Sequence, residues 1–158
     1  LELIKAKKPL MLLNKYWKMI PKNKIIKTPR VKVIQKLYSS LMNPDIPVEF
    51  TKSQYKKFIK DVVNGTLERE ELIEDTIRKH LSNDINLERT DKLLKIIIFA
   101  AIFELMFKHK NSINVIISEY IKASNYFLEK SQIKYLNAIL DKIATKIRNE
   151  NNRVNINK

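Results

Sequence analysis

Apolar residues recur three and four positions apart in six separate stretches, the spacing of one buried face on each of six α-helices. In "KTPRVKVIQKLYSSLMNP" the stripe is Ile34, Leu37, Tyr38 and Leu41. Thr28 stands at the N-cap position and Pro29 at the first helical position, where its missing N–H is no loss. "NPDIP" ends that helix. In "TKSQYKKFIKDVVNG" the face is Tyr55, Phe58, Ile59, Val62 and Val63. Thr51 and Gln54 have capping-box spacing. Gly65, the sole glycine, falls where a left-handed C-terminal cap is wanted. "TLEREELIEDTIRKHL" carries acids early (Glu68, Glu70, Glu71) and Arg78, Lys79 and His80 late, both favourable to the helix dipole.

The fourth helix, from about Leu87 to Phe107, is apolar nearly all round from Leu93 onward. Such a helix is buried on most sides, so it should form the centre of the domain. "INVIISEYIKASNYFL" is the fifth. The sixth, about Ser131 to Arg148, buries Leu136, Ile139, Leu140 and Ile143. Its Asn137 reads as a hydrogen-bonder at the edge of the core, and Asp141 as a boundary residue paired with a nearby Lys. The polar ending, residues 149–158, is expected to fray. The fold class is therefore all-α, with a helical domain over 29–148 between a basic, partly disordered arm (1–28) and that tail.

Composition narrows the chemistry. The absence of Cys removes disulfides, zinc-thiolate sites and thiol catalysis. The longest apolar run, Ile96 to Phe103, is far short of the ~20 residues of a membrane span. No signal peptide is recognisable at the N-terminus, so a soluble, cytoplasmic protein is expected. His80 and His109 are lone residues in polar settings. Glu104 and Glu119 lack the neighbours of a catalytic carboxylate pair, and there is no Gly-rich phosphate loop or nucleophile–base arrangement. No enzyme, metal site or cofactor is expected.

Charge changes the picture more. The chain holds 31 Lys and Arg against 17 Asp and Glu, a net +14. Residues 1–40 contain eleven basic groups and a single acid, Glu2, while the other 118 residues carry 20 basic and 16 acidic groups. Lys22, Lys24, Lys27, Arg30 and Lys32 crowd the start of the first helix, followed by Lys36. A helix N-terminus already carries about half a positive charge, so cations there are disfavoured unless an anion joins them. A phosphate backbone is such an anion. On the last helix, Tyr135 projects roughly 130° from the apolar stripe, with Lys130 and Lys134 beside it. An exposed ring among lysines suits stacking on single-stranded RNA, although a tyrosine packed on a neighbouring loop gives the same pattern. Tyr38, on the buried stripe, reads as core.

The order of these segments resembles the NusB family of transcription antitermination factors. "VIQKLY", "FIKDVVNG", "LLKIIIFAAIFEL", "VIISEYIKAS" and "YLNAILDKI" are similar to the family's successive helices. The chain departs from the family pattern at Ser118-Glu119, at Asn137-Ala138 and at Phe99, where an Arg is common. The resemblance implies two small helical bundles packed together. It also implies binding of the boxA segment of nascent RNA with the small-subunit ribosomal protein NusE, within the transcription elongation complex during ribosomal RNA synthesis. The resemblance places RNA contact in the basic region, with Arg30 on an arginine of the family's basic motif, and at Tyr135; with the charge pattern, the expected contacts are Lys22, Lys24, Lys27, Arg30, Lys32 and Lys36, with Lys130, Lys134 and Tyr135. Two other readings have sequence support: the NusB-like RNA-binding module of a ribosomal RNA methyltransferase, and a helical scaffold that binds only protein. The basic arm argues against the scaffold.

Overall fold

The computed structural model describes residues 28–156. They form six helices: α1 (Pro29–Met42), α2 (Lys56–Glu68), α3 (Glu70–Leu81), α4 (Lys92–Phe107), α5 (Ile113–Ser124) and α6 (Lys130–Ile156). No strand occurs among the described residues. α4 packs on all five other helices, as its unbroken apolar surface requires. Ile97, Ile98, Ala100, Ala101, Ile102 and Leu105 are fully enclosed. α1 and α2 pack together on one side of α4, and α3 and α6 on the other, with α5 touching both α1 and α6. α1 and α6 do not touch directly, while α4 and α5 each contact both, and α2 meets α3.

The predicted stripes account for most of the core. Ile34, Leu37 and Tyr38 of α1 and Ile59, Val62 and Val63 of α2 are buried, as are Leu136, Ile139, Leu140 and Ile143 of α6. Leu41 and Tyr55, at the margins of their stripes, stay exposed. The caps differ more. No hydrogen bond from the Thr28 side chain caps α1. α2 begins five residues after Thr51, because residues 53–55 form a turn closed by the Lys56 N–H donating to the Ser53 carbonyl at 3.1 Å. The Thr51–Gln54 capping box therefore does not form. α4 starts at Lys92 rather than near Leu87. Asp91 caps it, its carboxylate accepting from the N–H groups of Leu93 (3.1 Å) and Leu94 (3.2 Å), two of the donors a helix start leaves unpaired.

Gly65 does not end α2. The helix runs on to Glu68, and no glycine among the described residues has positive φ. Gly65 instead faces α4 at close approach, where a Cβ would overlap the ring of Phe103. The missing side chain serves packing, not a turn.

The polar ending differs too. α6 continues to Ile156 instead of fraying after Arg148, and tertiary bonds hold it. Arg148 donates to the carbonyls of Leu105 (2.9 Å), Asn111 (3.0 Å) and His109 (3.3 Å), satisfying acceptors that the end of α4 and its following turn leave free. Glu150 accepts from Lys79 at 2.8 Å and lies 3.4 Å from His80, both on α3. Asn137 and Asp141 are both exposed and bond to each other at 3.4 Å. Neither lies in the core, and the Lys expected beside Asp141 pairs elsewhere: Lys142 holds Asp84 at 2.7 Å.

Candidate nucleic-acid interface

α1 carries Arg30, Lys32 and Lys36 and no acid in its first turn, and the fold separates these three cations. Arg30 turns inward and is only 6% exposed. Its Nε and Nη2 donate to the two oxygens of Glu104, at 2.9 and 2.7 Å, across α1 and α4. The guanidinium also lies over the rings of Phe58 (5.1 Å) and Tyr120 (5.5 Å), so residues from α1, α2, α4 and α5 meet at one buried charge pair. Burial alone would lower the Arg30 pKa, but the hydrogen bonds and charge of Glu104 outweigh it and the net shift is upward. Burial, and then the charge of Glu104, push the enclosed Tyr120 hydroxyl well above its ordinary value. Arg30, expected on the sequence to contact RNA, is thus corrected to a structural residue. Its bidentate fork is filled by Glu104, which is 0% exposed and has to be paired. The isolated Glu104 in an otherwise apolar helix was the sequence signal for a buried counter-ion.

Lys32 and Lys36 lie half-buried one turn apart on α1, and neither has an acidic partner among the described residues. Lysines elsewhere often do: Lys79, Lys95, Lys108, Lys122 and Lys142 each meet a carboxylate within 3.5 Å. Lys22, Lys24 and Lys27 lie outside the described residues.

The other predicted group opens α6. Lys130 and Lys134 are exposed and without acid partners among the described residues. Tyr135 is 36% exposed, and its hydroxyl donates to the Asp84 carbonyl at 2.9 Å in the α3–α4 connection. Partial burial, then the nearby Asp84 charge, raise its pKa. The tyrosine is therefore half-open and also anchored on a loop, combining the two arrangements that its position on the helix allowed. Tyr38 is buried, as its stripe predicts. Its pKa is raised by burial and by Asp91, at the far end of the same connection. Residues 84–91 thus run from the anchor of Tyr135 to the cap of α4. Acids along this stretch are already engaged, Asp84 by Lys142 and Glu88 by Arg78 at 3.4 Å, while Asp91 caps α4. What periodicity could not supply is this bridging role of the connection.

Comparison with known proteins bears on the whole chain. The model of the NusB family matches residues 20–145. The transcription antitermination protein NusB of Mesorhizobium japonicum is 32% identical over 94 residues, covering 60% of this chain and 61% of that protein. The protein of the same name from Agrobacterium fabrum is 30% identical over 96 residues, 61% and 58% of the two chains. The aligned part thus spans about three fifths of these curated relatives. Among solved structures, T. maritima NusB superposes with a TM-score of 0.65 at 22% identity, over 76% of this chain and 89% of that one, a likeness of fold.

Proposed function

Because the chain belongs to the NusB family, we propose that it acts in transcription antitermination by binding the boxA segment of nascent RNA together with NusE, in the cytoplasm. The observation that carries the RNA half of this reading is the pair Lys32 and Lys36. Lys32 ends the first turn of α1, where the backbone already attracts anions, and Lys36 lies one turn further on, with no carboxylate of the described residues to neutralise either. Each phosphate they contact would release condensed counter-ions, which drives association and makes it salt-dependent. Lys130 and Lys134 extend the cationic surface onto α6. Tyr135 offers a ring already fixed by its bond to Asp84, so stacking a base on it costs little further side-chain entropy. Lys22, Lys24 and Lys27, which precede α1 in the sequence, are proposed as further RNA contacts. The engaged acids of the α3–α4 connection leave little to repel a strand passing between the two groups. The pairing with NusE and the place in the elongation complex rest on family membership.

Fluorescence anisotropy with labelled boxA RNA and with a scrambled RNA, each with and without NusE, tests the proposal. Preferential binding of boxA, strengthened by NusE, is expected. Equal affinity for the scrambled RNA in the presence of NusE would contradict it.

A further inference from the structure

A shallow groove beside α1 is lined by Lys32, Lys36, Phe50, Thr51, Lys56 and Ile59. Ile59 is buried and Phe50 half-buried against the core, giving the groove an apolar floor. Three lysines and one exposed threonine complete its lining. None of the three lysines has an acidic partner among the described residues. Like charges gathered round one recess repel one another, and a bound anion would turn that repulsion into attraction. Lys56 and Lys57 also occupy the first turn of α2 with no acid there, the unfavourable end of the dipole for a cation. The first two turns of α1 and the start of α2 thus bring three cations without acidic partners among the described residues to one place. Lys52 and Lys60 continue it outward as exposed residues.

We infer that this groove seats a phosphodiester group of single-stranded RNA, so that the strand continues from α1 onto the first turn of α2. In this arrangement Lys56 holds the phosphate seated in the groove, the Thr51 hydroxyl donates to one of its oxygens, and Lys32 and Lys36, one turn apart, meet the neighbouring phosphates of the strand. The inference rests on the RNA-binding reading above and adds Thr51 and Lys56 to it. A recess with two half-buried lysines fits a single strand, which can lower one phosphate into it. A flat anionic membrane would instead engage the outer lysines, Lys52, Lys57 and Lys60.

The test uses the full chain, a labelled single-stranded boxA oligonucleotide, and Kd measured at several salt concentrations. One phosphate contact on a single strand is worth about 0.7 in the log–log salt slope. Lys56→Gln should therefore flatten the slope by about 0.7, so that wild type loses about 2.6-fold more affinity than the variant when salt is raised fourfold. Thr51→Val should weaken binding without changing the slope. Lys56→Arg and the control Lys110→Gln should both keep the wild-type slope. Thermal melting should show every variant folded, with Lys56→Gln equal to or slightly above wild type because it removes a cation from a helix start. An unchanged slope for Lys56→Gln, with a flatter one for Lys32→Gln, would overturn the groove and leave the RNA reading standing. No binding of RNA by wild type would overturn both readings. So would binding to vesicles of anionic phospholipid in place of RNA, lost on neutralising Lys52, Lys57 and Lys60.

Discussion

Replacing Arg30 with Met removes one member of a charge pair whose other member, Glu104, has no access to water. Breaking a buried pair from one side typically costs about 3–5 kcal/mol, because the remaining charge stays desolvated and unpaired. The contacts of the guanidinium with Phe58 and Tyr120 go with it, each worth about 0.5–2 kcal/mol, part of which the Met side chain restores by packing. For a chain of this size 1 kcal/mol moves Tm by about 2–4 °C, so Arg30→Met should lower Tm by roughly 6–20 °C. The reverse change should be milder. Arg30 is the second residue of α1 on a long side chain and can swing toward solvent once Glu104→Gln removes the charge, whereas Glu104, in the last turn of α4, is fully enclosed. Replacing both, Arg30→Met with Glu104→Leu, removes the charges together and should return stability to near wild type. Urea unfolding followed by far-UV circular dichroism, run as a double-mutant cycle, measures all four states. An Arg30→Met deficit below about 1 kcal/mol, the range of an exposed pair, would refute the reasoning, as would a double variant as unstable as the two single losses added.

Two further outcomes follow from the packing. Gly65→Ala improves helix propensity by about 1 kcal/mol, but its Cβ meets the Phe103 ring, and overpacking costs about 1–3 kcal/mol. Chemical denaturation should show a net loss of up to about 2 kcal/mol, and a more stable variant would remove the close-approach explanation. Glu150 has its pKa lowered by the hydrogen bond from Lys79 and by the charges of His80 and Lys79. A folded value below the unfolded one gives stability that is present above the ordinary carboxylate range and lost as pH falls through the lowered value. The pair is largely exposed, so the contribution stays below about 1 kcal/mol. On acidification, amide-exchange protection should drop first in the part of α6 after Arg148, and Glu150→Gln should show the same pattern at neutral pH. Protection that does not change in either experiment would separate Glu150 from the order of that segment.

How much of this was legible depended on the kind of signal. Periodicity located six helices and the central place of α4, because a buried stripe leaves its spacing in the chain. It could not distinguish two uses of glycine: a left-handed cap and a close helix crossing both require a missing Cβ, and Gly65 serves the second. Nor could charge runs distinguish a cation facing water from one facing a carboxylate 74 positions away. Arg30 and Lys32 are near neighbours of the same sign, yet one is buried and the other lines a groove. The extension of α6 was hidden for a similar reason. Its polar residues carry no stripe, and what orders them is Arg148 on the end of α4 and Glu150 on α3. The groove left no readable trace: with Thr51 read as a cap, Lys56 and Lys57 fall in the second turn, and only the later start of α2 puts them at a helix N-terminus.

The account turns on which cations meet RNA, and the salt dependence of boxA affinity separates them. About four phosphate contacts on a single strand give a log–log slope near −3. Lys32→Gln with Lys36→Gln should flatten that slope by about 1.4. Arg30→Met, measured where the variant is fully folded, should leave it unchanged, since its donors are bound to Glu104. A slope insensitive to the two lysines, or one that flattens on loss of Arg30, would contradict the account.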